Sequence, residues 1–384
     1  MTAPVLIADR HPNNFDILRL AGALLVALGH AMDVFIGHDW LAQKTNVQSF
    51  GGLGLLTFCV ISGYLITQSR LRNTAADFAW SRALRILPAL LVAIPLMAFV
   101  AGPLITTLPV SAYFRSGQTW RFLATVFIFP LNSTLPGVFN GTPLAGQLYS
   151  LTAEVTFYIF VGFLGQWKHF PVLAEILLTA LLSFLIASNY TVLPFTTIVN
   201  VEVGSLSLFT FPVRLGSLCL FYLLMGSVMA NLSIPKRLLT RFILPFLALW
   251  LVALTAQDRR AYDMVEMILF PAIVLGIGLN ERFTIRIPNF IGDISYGTYI
   301  YHFIVAELLF TLVAPASLTP LRSAVGVALS VVLSAAIGWF SFQLVEKRAL
   351  RFKPARAKRA VAEVSVAARA AGDFQPIPGG SVDC

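Results

Sequence analysis

Long apolar runs recur from residue 16 to residue 344, with few charges inside them. A helix crossing the hydrocarbon core of a membrane needs about 20 mostly apolar residues. A water-soluble chain hides such runs in a core, and 384 residues enclose too little interior for this many. Of the whole chain 57% is hydrophobic and only 12% is charged, against about 25% charged in soluble domains. Mean hydropathy is +0.80. Lipid must therefore supply the missing burial. Since a bilayer tolerates only backbones that satisfy their own polar groups, runs of this length read as helices.

The pattern predicts an all-α polytopic bundle of about ten transmembrane helices. The spans fall near 16–37, 50–69, 84–102, 149–166, 171–190, 213–230, 242–256, 262–279, 289–313 and 322–344. Trp120–Leu131 is apolar but too short to cross, and reads as an interfacial or re-entrant segment. Basic residues orient the bundle, because cytoplasmic loops carry the excess of Lys and Arg. With the N-terminus inside, the cytoplasmic loops hold Arg70, Arg72, Arg82, Lys168, Lys236, Arg237, Arg241, Arg282 and Arg286. The other side holds Lys44, Arg115, Arg121, Arg259, Arg260 and Arg322. Both termini are thus expected in the cytoplasm, in the inner (plasma) membrane. Counting Trp120–Leu131 as a span would invert every later loop and put Lys236–Arg241 outside.

The organisation expected is a transmembrane domain over 1–345 and a basic, disordered cytoplasmic tail over 346–384, whose lysines and arginines suit an anionic lipid surface. The start does not read as a cleavable signal peptide. The net charge of +9 is explained by topology, since no basic face with interleaved aromatics points to nucleic acid. Cys59, Cys219 and Cys384 form neither a disulfide framework nor a metal-ligand spacing, so no metal is expected.

Ionisable groups inside a span cost roughly 2.5–3.5 kcal/mol or more, which makes each one a functional candidate. The first run carries Asp16, Arg19, His30 and Asp33. Eleven helical residues turn about 1,100°, so Arg19 and His30 share one face, with His30 about 16 Å deeper and near mid-bilayer. A neutral buried imidazole can accept a hydroxyl proton as a general base. Asp33, one turn on, either orients His30 or caps the outer helix end.

Arg82 and Arg85, spaced i, i+3, point the same way, and two such guanidiniums can hold phosphates. The alternative is ordinary topology charge. Glu154 lies in an otherwise apolar helix and needs a partner such as Arg214 or Arg19, or a proton; Tyr158 is one turn away. Glu266, Glu307 and His302 either line an acceptor cavity or pack, His302 after the aromatic run Tyr296, Tyr299 and Tyr301.

Taken together, several phrases resemble the acyltransferase 3 family of membrane O-acyltransferases. Arg19 and His30 match its opening basic-x10-His pattern, and Phe58-Cys59-Val60-Ile61-Ser62-Gly63-Tyr64-Leu65 resembles its second-helix phrase. Arg82 to Pro88 matches Arg-x-x-Arg-Ile-x-Pro, and Ser150 to Tyr158 matches Ser-Leu-x-x-Glu-x-x-x-Tyr. Ile294-Ser295-Tyr296-Gly297-Thr298-Tyr299 with His302, then Val345-Glu346-Lys347, complete the series in the family's order. Tyr149, Cys59 and Arg348 depart from the residues usual there, without removing a group assigned to chemistry. With no hydrolase-like domain appended, the chain resembles the stand-alone form.

The resemblance implies transfer of an acyl group, commonly acetyl from acetyl-coenzyme A, to a carbohydrate hydroxyl of an exopolysaccharide, lipopolysaccharide or other glycan or glycolipid. Arg82 and Arg85 would then hold the acyl-coenzyme A donor. His30, Arg19 and Glu154 would act at the reacting centre, with Asp33, Ser62, Tyr158 and His302 supporting the site or the acceptor. A proton-coupled transporter is the competing class, since it too buries His, Glu and Arg in a polytopic bundle. No internal repeat favours it.

Overall fold

The computed structural model describes residues 13–128, 134–139, 144–164, 172–180, 198–203, 206–232, 234–256, 258–313 and 319–354. Among the described residues, nine principal helices carry the fold: α1 (Phe15–Ile36), α2 (Phe50–Arg72), α3 (Ala75–Leu96), α4 (Tyr149–Leu164), α5 (Val213–Asn231), α6 (Ile243–Thr255), α7 (Arg259–Gly278), α8 (Ser295–Val313) and α9 (Pro320–Ser341). Six of these are long and apolar enough to cross a membrane: α1, α2, α7, α8, and α3 and α9 with their continuations to Ile105 and Phe352. The chain is a helical membrane protein.

The remaining expected spans differ in length. α4 has 16 residues and α5 has 19. α6 has 13, which at 1.5 Å per residue is about 20 Å, short of a hydrocarbon core of about 30 Å. The basic turn Lys236–Arg241 precedes it across Phe242 and lengthens the helical run. Of the span expected at 171–190, residues 172–180 are helical and the rest lie outside the described residues. The Trp120–Leu131 segment forms a six-residue helix, Gly117–Phe122, and a 3-10 turn, Leu123–Phe127, and no spanning helix among its described residues. One element was not expected: β1 (Ile198–Val203) pairs antiparallel with β2 (Leu206–Pro212), a short hairpin beside the helices.

Caps set the helix starts. Ser49, Thr74, Asp258 and Thr319 each accept a backbone N–H from the first turn of α2, α3, α7 and α9, respectively. With Thr74 as its cap, α3 starts at Ala75, nine residues before the apolar run, so Arg82, counted with the cytoplasmic loop, is helical as Arg85 is. At Pro95 the regular hydrogen-bond ladder is interrupted, and a π-turn, Met97–Ala101, follows. A second π-turn, Phe342–Glu346, continues α9, and helical structure runs on to Phe352. Residues 355–384 lie outside the described residues.

Close backbone approach holds α2 against α5. A Cβ at Gly63 would overlap the Leu223 carbonyl, and one at Gly226 would overlap that of Val60. Membrane helices lack a hydrophobic drive between them, so such contacts carry their association. Polar ties gather alternate helix ends at one end of the bundle. Asn14, 3% exposed, donates through Nδ2 to Ile277 O at 3.0 Å, Asn280 O at 3.2 Å and Phe283 O at 2.7 Å, and accepts from Ile285 N at 2.9 Å. It thereby joins the start of α1 to the end of α7. Arg70 of α2 donates to Gly162 O of α4 at 3.2 Å. Thr67 of α2 meets Ser227 of α5 at 2.6 Å, and Ser227 donates to Glu175 at 2.7 Å. Trp80 of α3 donates to Phe352 O at 3.2 Å, beyond α9.

Candidate active site

The arginine-bearing end of this bundle opens into a cavity of about 750 Å³, counting the solvent at its mouth. α1, α2, α3, α4, α5 and α8 wall it. Of the expected residues, Arg19, Ser62, Arg82, Arg85, Glu154 and Tyr158 line it together. These six lie up to 139 positions apart in sequence, from 19 to 158, and the helix register of each brings it to one space. Ser62 and Gly63 of one phrase divide the labour: Ser62 faces the cavity while Gly63 admits α5.

Arg82 and Arg85 sit about two to three turns inside the start of α3. The Arg82 guanidinium lies 5.8 Å from both the Phe78 and Tyr158 ring centres, and its buried Nε has no hydrogen-bond partner. Arg85 Nη2 donates to Asp293 Oδ2 at 2.7 Å, with its guanidinium 5.9 Å from the Tyr296 ring centre. Arg19 Nη1 approaches the same Asp293 oxygen at 3.9 Å. Arg19 and Arg85 are 20% and 21% exposed, so a shared carboxylate matters there more than on an open surface. Burial alone would raise the Asp293 carboxyl; the Arg85 and Arg19 guanidiniums, aided by the Ser295 hydroxyl, outweigh it and hold it well below the usual carboxylate range. Glu154 Oε1 accepts from the Tyr158 hydroxyl at 2.6 Å, one helical turn on. Of the partners expected for Glu154, Arg19 lines the same cavity, and the Arg214 side chain lies outside the described residues.

His30 is not in that wall. Its ring lies 5.1 Å from the His302 ring and edge-on to Phe303 at 5.7 Å, and Asp33 Oδ2 is 3.9 Å from its Nδ1. Six residues, about 9 Å of helix rise, separate His30 from the end of α1 at Ile36, and its side chain is 37% exposed. Asp33, 54% exposed, is close enough to attract His30 without a hydrogen bond.

His302 is buried, at 1% exposure. Its Nδ1 is 2.7 Å from Tyr299 O. A carbonyl can only accept, so Nδ1 carries the proton, and the buried, unpartnered Nε2 presents a lone pair. Tyr299 stands between the two regions. It lines the cavity, its ring is 5.7 Å from His302, and its hydroxyl meets Ser150 Oγ at 2.5 Å and Gln147 O at 2.7 Å. The site thus has two compartments: a cationic cavity at one end and a histidine pair toward the other, with the Tyr299–Ser150 contact at the boundary.

Glu266 joins neither compartment. Tyr262 donates to its Oε1 at 2.5 Å, Gln48 Nε2 is 2.5 Å from the same oxygen, and the acid packs α7 against the start of α2. Glu307 is partly exposed on α8. Sequence reasoning missed Asp293, the residue joining Arg19 to Arg85. The signals available were an acid inside the span expected at 289–313 and its place immediately before the Ile294–Tyr299 phrase.

The whole site falls within residues 13–339, which match a family described as an acyltransferase domain. The chain is 28% identical over 320 residues to Nodulation protein 10 of Rhizobium leguminosarum bv. viciae, covering 78% of this chain and 84% of that protein. It is 26% identical over 313 residues to the O-acetyl transferase of Shigella phage Sf6, covering 77% of this chain and 85% of that one. No solved structure matches the chain.

Proposed function

The chain belongs to the acyltransferase 3 family and is an acyltransferase, and from that premise we propose that it moves acetyl from acetyl-coenzyme A to a hydroxyl of an exopolysaccharide, lipopolysaccharide or related glycan. The observation that carries this reading is the cavity in which Arg19, Arg82 and Arg85 converge. Three guanidiniums, one with a buried unpartnered Nε, fit the phosphates of a coenzyme A thioester better than a neutral ligand. Similarity to an O-acetyl transferase supports acetyl as the group and oxygen as the acceptor atom.

In this scheme the donor's phosphates rest on Arg82 and Arg85, and its acyl arm runs past Ser62 toward Ser150 and Tyr299. His30 takes the proton from the acceptor hydroxyl as its oxygen attacks the thioester carbonyl. The C–O bond forms, the C–S bond breaks, and the proton passes from His30 to the leaving thiolate. His302, fixed by Tyr299 O, supports His30 and the acceptor, and Asp33 holds the imidazole on its other side. Arg19 shifts role from the one expected. Paired to Arg85 through Asp293, it serves the donor end, and Glu154 with Tyr158 completes that wall.

Ten crossings and a cytoplasmic N-terminus belong to the same proposal. The starts of α1, α3 and α8 share one end with the ends of α2, α4, α5, α7 and α9. α4 and α5 both finish there, so one further crossing between them makes ten. Arg70, Arg72, Lys236, Arg237 and Arg241 lie at that end, which the charge rule assigns to the cytoplasm of an inner membrane, where acyl-coenzyme A is made. The test is O-acetyl analysis of surface and secreted glycans from cells with and without the gene. Alkali-labile acetyl that depends on the chain supports the reading; identical profiles in every glycan fraction overturn the glycan acceptor.

A further inference from the structure

Two guanidiniums on different helices do not settle side by side unaided. Arg19 comes from α1 and Arg85 from α3, both are four-fifths buried, and like charges in such a setting repel strongly. What stands between them is Asp293, from the turn that precedes α8. That turn requires a residue with no side chain. Ile291 N and Gly292 N fold back on Pro288 O, and Gly292 takes a positive φ of 71°, with the Phe342 ring filling the place a Cβ would need. Asp293 emerges with both carboxylate oxygens engaged. Oδ2 takes Arg85 at 2.7 Å and faces Arg19 at 3.9 Å, while Oδ1 accepts from Ser295 Oγ at 2.6 Å.

We propose that Asp293 is the positioning residue of the donor site, the carboxylate that holds Arg19 and Arg85 together and aims the rest of the Arg85 fork into the cavity. The hydrogen bond to Asp293 uses one of the five N–H donors of Arg85. Arg85 and Arg19 both line the cavity, and four N–H donors of Arg85 are left for a ligand there. The arrangement follows the logic of a second carboxylate behind a metal ligand: an outer group fixes the orientation of the one that touches the ligand. Ser295 in turn fixes Asp293, so an exposed-looking loop becomes part of the donor wall. This inference rests on the reading of the arginine cavity as the coenzyme A site.

The experiment titrates coenzyme A into the purified full-length chain and pairs that with steady-state transfer from acetyl-coenzyme A. Asp293→Asn preserves size and removes the charge. It is expected to weaken coenzyme A binding, and to raise the donor KM, about tenfold, the usual worth of a charged hydrogen bond. With saturating donor, kcat should stay within about threefold, and Asp293→Glu should regain most of the affinity. Unchanged or tighter binding in Asp293→Asn would overturn the proposal, since tighter binding is what a carboxylate that merely competes with phosphate produces. So would a fall in kcat with unchanged affinity. Arg85→Ala, measured alongside, separates the two claims. If Arg85→Ala binds coenzyme A like the parent, the donor reading itself fails. If Arg85→Ala binds weakly and Asp293→Asn does not, only the role of Asp293 fails. Should Asp293→Asn not fold, Ser295→Ala is the substitute. Loosening the second oxygen is then expected to weaken binding about two- to fivefold, and an unaltered affinity overturns the proposal.

Discussion

Arg82 has incomplete surroundings. Its guanidinium rests over Phe78 and Tyr158, yet its buried Nε has no partner. A buried donor left unmatched costs about 1–3 kcal/mol, and more when charged. An anion at that position recovers the cost. Arg82→Ala should therefore weaken coenzyme A binding about tenfold or more, read by calorimetric titration; an unchanged Kd would show that the Nε faces no ligand. Arg82, like Glu154, was visible in the sequence because a charge entering an apolar run needs a reason. Asp293 was missed although it fell inside the span expected at 289–313, because its place between two arginines depends on helices distant in sequence. Helical periodicity correctly put Arg19 and His30 on one face of α1. It is silent on what other helices bring to that face, and they bring Asp293 and Arg85 to Arg19 and His302 to His30.

Individual elements are fixed by a few polar residues at their ends rather than by the apolar runs. The runs mark where a helix crosses lipid, and so the span expected from residue 84 began nine residues after the true helix start at Ala75, which Thr74 caps. Residues 289–294 likewise read as the start of a span and form instead the turn that delivers Asp293. Asn14 shows how much one such residue holds. It satisfies the Ile277 carbonyl in the last turn of α7 together with the loop over Asn280–Ile285, across more than 260 residues of chain. Asn14→Ala removes these bonds without filling the space. It should cost about 2–4 kcal/mol, seen as a lower Tm of the detergent-purified protein, while an unaltered Tm would mean that the α1–α7 junction is held elsewhere. The β1–β2 hairpin is not legible in the apolar runs, because its six- and seven-residue strands fall below membrane-spanning length.

Across the whole molecule, the helices divide the chemistry into two compartments. Three arginines and Asp293 occupy the end where α1, α3 and α8 begin. The His30–His302 pair lies toward the other end, with Tyr299 and Ser150 between them. Such a division suits a reaction whose two substrates arrive from different sides, a charged thioester from one and a carbohydrate hydroxyl from the other. Composition alone established that the chain lives in a membrane, but not how the helices share two compartments. That depends on cross-helix neighbours, such as Gly63 with Leu223, that no single run encodes. The central claim is that acyl transfer from the arginine cavity passes through His30. The measurement that tests it most directly adds acetyl-labelled acetyl-coenzyme A to membranes containing the intact chain or its His30→Ala variant, each shown to be inserted at equal levels, and follows label into the glycan fraction. The account predicts chain-dependent, alkali-labile label in glycan with the parent and none with His30→Ala. Label at the parent rate with His30→Ala would contradict it.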